Sequence, residues 1–92
     1  MTKLRKRRSH TEVILDILTE ASEGANKTRL MYSCNLNFGL FNRYLKELLD
    51  ADLIEKIEEN NLEGSTITIY KTSAKGRELL KVLRKANELL SS

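Results

Sequence analysis

Residues 35–49 read NLNFGLFNRYLKELL, and the organisation of the whole chain turns on how this segment is rotated. With Asn37 as a helix cap, Phe41, Leu45, Leu48 and Leu49 recur at helical spacing and make one apolar stripe that must face a core. Gly39, Leu40, Asn42, Arg43 and Lys46 are then expected to point away from it. This outward side holds two basic groups and an amide, with no carboxylate in its first two turns. In a chain with 13 acidic residues, such a face is expected to meet a partner.

Upstream, ANKTRLMYSCN (25–35) places Leu30, Met31 and Cys34 on one face, with Asn26 or Thr28 as the cap of a helix of about two turns. Asn35, Leu36 and Asn37 join the two helices, and Leu36 can pack on Phe41 as a hydrophobic staple. Two helices joined by so few residues fit a helix-turn-helix. Earlier still, Ser9 and Glu12 form a capping box, Val13, Ile14, Ile17, Leu18 and Ala21 recur at helical spacing, and Gly24 supplies a stop. This pattern predicts a helix over 10–22. Downstream, Leu53, Ile54 and Ile57 lead through ENNLEGS (59–65) into TITIY (66–70), which predicts a two-stranded hairpin turning at Asn60, Asn61 and Gly64. Thr72 or Ser73 then caps a final helix that carries Leu79, Leu80, Val82, Leu83, Ala86, Leu89 and Leu90.

The chain has 92 residues, 40% apolar and 32% charged, and lacks proline. These values suit one small globular domain. The formal charge of +3 is unevenly spread. Residues 1–10 hold five basic groups and no acidic one, whereas the rest carries 11 basic and 13 acidic residues. The basic tail TKLRKRR does not resemble a secretory signal, because Glu12 and Asp16 interrupt the apolar residues after it, so a cytoplasmic location and no membrane association are expected.

Catalytic, metal and cofactor readings find little support. The only histidine, His10, reads as a solvated helix-start residue, and the only cysteine, Cys34, as a small buried apolar group. Glu58 and Glu59 are adjacent in a strand and point to opposite faces. No phosphate-cradling glycine loop or Ser-His-Asp set is present. The expectation is a protein that is not an enzyme and needs no cofactor.

Three helices, a hairpin and a helix is the element order of a winged helix, an α+β fold. Within it, NLNFGLFNRYLKELLDADLI (35–54) and YKTSAKGRELL (70–80) resemble the archaeal winged-helix transcriptional regulators and the small archaeal 10a DNA-binding proteins. Those share Leu, a polar cap, an aromatic, then Tyr-Leu, Leu-Leu and Leu-Ile, with Tyr-x-Leu-Thr-x-Lys-Gly entering the last helix. Here Thr72 and Ser73 stand at the Leu and Thr of that segment. The resemblance implies a basic arm over 1–8, a winged helix-turn-helix over 9–72 and a dimerisation helix over 73–92. It also implies that the last helix pairs with that of a second subunit. The apolar residues of that helix span about half its circumference, wider than the roughly 100° of an ordinary surface helix, so Leu79, Val82, Leu83, Ala86, Leu89 and Leu90 are expected at a homodimer contact.

The expected function is binding of double-stranded DNA, as a transcriptional regulator or a nucleoid-associated protein. The helix that follows Asn37 would enter the major groove, with Asn37 itself among the DNA-contacting residues, and there Asn42 can pair with adenine and Arg43 with guanine. Lys46 would lie near the backbone, Leu40 near a thymine methyl, and Gly39 would allow close approach. Lys27, Thr28 and Arg29 would hold phosphate. Lys3, Arg5, Lys6, Arg7 and Arg8 would follow the backbone or an adjacent minor groove, or bind weakly without specificity. Residues 55–63 hold Glu55, Glu58, Glu59 and Glu63 against Lys56 alone, an acidic tip that phosphates would repel. That acidity supports an alternative, a winged helix used as a protein-protein module.

Overall fold

The computed structural model describes residues 8–91. Its elements are α1 (His10–Glu20), α2 (Lys27–Ser33), α3 (Phe38–Asp50), β1 (Ile54–Asn60), β2 (Thr66–Thr72) and α4 (Ala74–Ser91). This is the expected winged-helix order. Each helix start is fixed by a local side chain. The Glu12 amide donates to Ser9 Oγ (3.1 Å) while the Ser9 amide donates to Glu12 Oε1 (2.8 Å), completing the capping box. Asn26, rather than Thr28, caps α2 by accepting from the Arg29 amide, and Asn37 Oδ1 accepts from the Leu40 amide, both at 2.8 Å. Of the two candidates for α4, Ser73 is the cap, its Oγ accepting from the Gly76 amide at 2.9 Å. Thr72 is spent elsewhere: its buried hydroxyl donates to Leu18 O (2.7 Å) and ties the end of β2 to α1.

Helix α1 ends two residues before the expected position. Residues 21–23 form a turn and Gly24 takes φ +93°, a conformation open to glycine at little cost. The cause is tertiary. Ala25 must reach β2, where it exchanges backbone hydrogen bonds with Tyr70 at 3.0 and 2.8 Å. Both helices of the helix-turn-helix end alike: Asn35 (φ 55°) and Asp52 (φ 62°) adopt left-handed backbone, and the amides of Leu36 and Leu53 return to Met31 O and Leu48 O. This closure uses carbonyls that a helix end leaves unpaired and fixes the exit of the chain. The three-residue turn therefore sets the angle of α3.

The core holds Val13, Ile17 and Leu18 of α1, Leu30 and Cys34 at α2, Phe41, Leu45 and Leu48 of α3, Ile54 and Tyr70 of the hairpin, and Leu80 of α4. Leu36 and Leu49 pack against it half-buried. Burial, joined by the nearby carboxylates of Asp16 and Glu20, pushes the Cys34 thiol up to about 11, so it stays protonated as an apolar core group. At the start of α4, a Cβ on Gly76 would run into Leu53 O. That glycine lets the last helix seat directly on the junction between α3 and β1. The hairpin is antiparallel, with Ile57 opposite Ile69 and Glu58 opposite Thr68. Among the described residues, no helix is long and apolar enough to cross a membrane.

Candidate nucleic-acid interface

Phe41, Leu45 and Leu48 are all buried, which fixes the rotation of α3 as the sequence implied. The stripe opposite them, at i, i+4, i+7 and i+11, consists of Gly39, Arg43, Lys46 and Asp50, and all four are exposed. Leu40 and Asn42, also expected outside, are half-buried on the two flanks. Leu40 shares a shallow pocket with His10, Arg43, Tyr44 and Glu47 on the side of α1. On the opposite flank Asn42 follows Phe38 by one helical turn.

Gly39 has no internal reason to be glycine. A Cβ built there meets only Asn37 Oδ1, at an ordinary 3.8 Å, and the residue lies within regular helix. This is the reverse of Gly76. A glycine that costs helix stability without relieving a clash inside the fold is explained by something outside it.

The charges are ordered along the helix. Among the described residues Arg43 has no ion-pair partner in the second turn, while Lys46 Nζ meets Asp50 Oδ2 at 2.9 Å. Both members of that pair are mostly exposed, so it contributes little and Lys46 can exchange it for another anion. His10 Nε2 approaches Glu47 Oε2 at 3.1 Å and its ring lies 5.2 Å from that of Tyr44. His10 thus joins α1 to α3, a role beyond the solvated position expected of it.

Helix α2 presents Thr28, Arg29 and Tyr32 to solvent, and Lys27 lies half-buried with its ammonium 6.0 Å from the centre of the Phe38 ring. Phe38 and Tyr32 were not singled out by sequence reading, yet they are 65% and 75% exposed. Tyr32 lies off the Leu30/Met31/Cys34 stripe of α2, a signal open in the sequence, whereas Phe38 stands three residues before Phe41 and seven before Leu45, at the spacing of the buried stripe, so only the structure shows it exposed. Asn37 gives its side-chain oxygen to the cap of α3.

Arg8 is the one arm residue within the described part, and it is bound to the domain. Its guanidinium donates to Asp16 Oδ2 and Cys34 O, both at 2.6 Å, and to Asn35 O at 3.3 Å. It neutralises Asp16 and occupies the carbonyl end of α2, where a cation is favoured. Lys3, Arg5, Lys6 and Arg7 lie outside the described residues. On the hairpin Glu55, Glu58, Glu59 and Glu63 are exposed, Lys56 lies 3.7 Å from Glu58, and Lys71 stands opposite Glu55 at the base of the strands, away from the tip. Basic groups therefore gather on α2 and the first turns of α3, and acidic groups on the wing. Among the described residues, no group of His, Cys, Asp or Glu is placed to hold a metal ion.

Comparison with known proteins agrees with the fold. Residues 7–91 match the sequence profile of a family described as winged helix-turn-helix. An uncharacterised protein of Methanocaldococcus jannaschii is 32% identical over 89 residues, covering 96% of this chain and 82% of its own. Among solved structures, Sso10a-2, described as a DNA-binding protein from Sulfolobus solfataricus, superposes with a TM-score of 0.75 at 24% identity, covering 91% of this chain and 83% of that one. A protein of Methanosarcina mazei, described as a possible transcriptional regulator, does so with a TM-score of 0.54 at 22% identity, covering 86% and 69%. At these identities the two structures establish the shared fold.

Proposed function

The chain belongs to the winged helix-turn-helix family, and from that premise we propose that it binds duplex DNA through the outward side of α3, as a transcriptional regulator or nucleoid-associated protein. The observation that carries this reading is Gly39: an exposed glycine that the fold does not need, in the first turn of the helix and one turn before Arg43. In helix-turn-helix recognition the N-terminal residues of the second helix lie near base edges. There Arg43 reads guanine and Asn42 adenine, Lys46 contacts the backbone, and Lys27, Thr28 and Arg29 on α2 hold phosphates. The acidic wing turns away from DNA, and the arm before Arg8 supplies further backbone contacts. The test compares Arg43→Ala and Asn42→Ala with the parent on selected and on random duplexes at one salt concentration. Loss of about 1–3 kcal/mol on the selected duplex, with less on random DNA, supports base reading. Unchanged binding to every duplex removes α3 as the reading head and favours the protein-protein alternative.

The functional unit in this reading is a homodimer formed through α4. Leu79, Val82, Ala86 and Leu89 follow the 3-4-3 spacing of a coiled-coil seam. Leu79 packs half-buried against the core, but beyond it the fold leaves the seam uncovered: Ala86 is exposed, Val82 and Leu89 are 61% and 67% exposed, and the adjacent Leu90 is 85% exposed. Leu83 and Leu90 continue the apolar surface toward Leu15 of α1, in a shared cleft. A second copy paired about a two-fold axis covers the same face on both chains.

A further inference from the structure

We infer that Phe38 reads the 5-methyl group of a thymine at the edge of the α3 footprint. This rests on the DNA-binding reading above and adds a base and a contact to it. Phe38 is the first residue of α3, directly after the Asn37 cap and beside Gly39. The residue is 65% exposed, although the neighbouring Phe41 is completely buried. The core therefore makes no use of it.

The surroundings select the occupant. The Lys27 ammonium lies 6.0 Å from the ring centre, near the limit of a favourable cation–π contact, and Asn42 follows one turn along the same flank. The carboxylates of α3, Glu47 and Asp50, begin only in the third turn. A phenyl ring bordered by a cation and an amide suits an anionic groove better than an apolar protein surface. In the major groove the apolar group on a base edge is the thymine methyl. With Phe38 against that methyl, Lys27 is positioned for the adjacent phosphate, and the contact contributes a preference for thymine that Arg43 and Asn42 do not supply. The half-buried Leu40 lies on the opposite flank, beside His10 and Tyr44, so the two apolar side chains do not share one position.

The experiment selects preferred duplexes from a random pool with the full-length protein, then replaces each thymine in turn by deoxyuridine, which lacks only the methyl. Binding is measured for the parent and for Phe38→Ala. The expected result is one position at which the parent loses about fourfold in affinity, the effect of one buried methyl. There Phe38→Ala binds the thymine and deoxyuridine duplexes equally, with its thermal unfolding unchanged. Tight binding by the parent with no loss at any substituted position overturns the inference and leaves the DNA-binding reading standing. A fourfold ratio that persists in Phe38→Ala overturns it in the same way. Failure of the parent to bind any duplex overturns both.

Discussion

Gly39→Ala is predicted to make the protein more stable and a poorer DNA binder, two effects of opposite sign from one methyl group. In a helix interior this change is favourable by about 1 kcal/mol. Gly39 lies in the first turn, two residues after the cap, so about 0.5–1 kcal/mol is the appropriate range. No steric term opposes it, because the new Cβ meets only Asn37 Oδ1 at 3.8 Å. For a domain this small each kcal/mol moves Tm by about 4–8 °C, so a rise of about 2–8 °C is expected in a thermal melt followed by circular dichroism. On DNA the methyl enters space that the backbone uses to approach a base or phosphate. Holding the helix off by part of an ångström should weaken a preferred duplex by about tenfold, or 1.4 kcal/mol. Fluorescence anisotropy on the same samples reads this directly. A variant that melts higher and binds as tightly as the parent would refute the assignment of this face to DNA. One that melts lower would refute the account of Gly39 within the fold.

Gly76→Ala is the control at a glycine that packing does require. Its Cβ would strike Leu53 O, so stability should fall by about 1–3 kcal/mol or more, seen as a lower midpoint in urea. Val82→Glu combined with Leu89→Glu should leave the fold intact, because both side chains are exposed, but convert a dimer to a monomer in sedimentation. A parent that is monomeric at high micromolar concentration would contradict the α4 interface. Deleting residues 2–7 while keeping Arg8 should reduce the slope of log affinity against log salt by about 0.9 for each phosphate that the arm no longer neutralises, with unfolding little changed. An equal slope would show that the arm does not touch DNA. Native Cys34 should resist a thiol reagent at pH 8 until the protein is unfolded, since its thiol, buried and pushed up to about 11, is protonated there. Rapid labelling of folded protein would contradict that burial.

What could be read from the sequence was local. Caps at Ser9, Asn26, Asn37 and Ser73 join residues three apart, so their signatures survive without knowledge of the fold. The stripe Phe41, Leu45 and Leu48 likewise fixed the outward side of α3 before any neighbour was known. Long-range features left no such trace. Arg8 reads as one more arm cation until Asp16 and the carbonyls of Cys34 and Asn35 are brought around it. The early end of α1 depends on Ala25 pairing with Tyr70, 45 positions away, and the bond from Thr72 to Leu18 O crosses a similar distance. Gly39 and Gly76 look alike in a sequence. Only packing shows that one is required by the fold and the other is not.

The central claim, that α3 presents its outward side to duplex DNA, is tested most directly by nuclear magnetic resonance of the 15N-labelled full-length protein titrated with a duplex. The account predicts that the largest amide shifts fall on Phe38, Gly39, Asn42, Arg43 and Lys46, with a second group at Lys27–Arg29. Residues 58–65 of the acidic wing should stay near their free positions. Shifts concentrated on the wing, with α3 unmoved at saturating DNA, would contradict it.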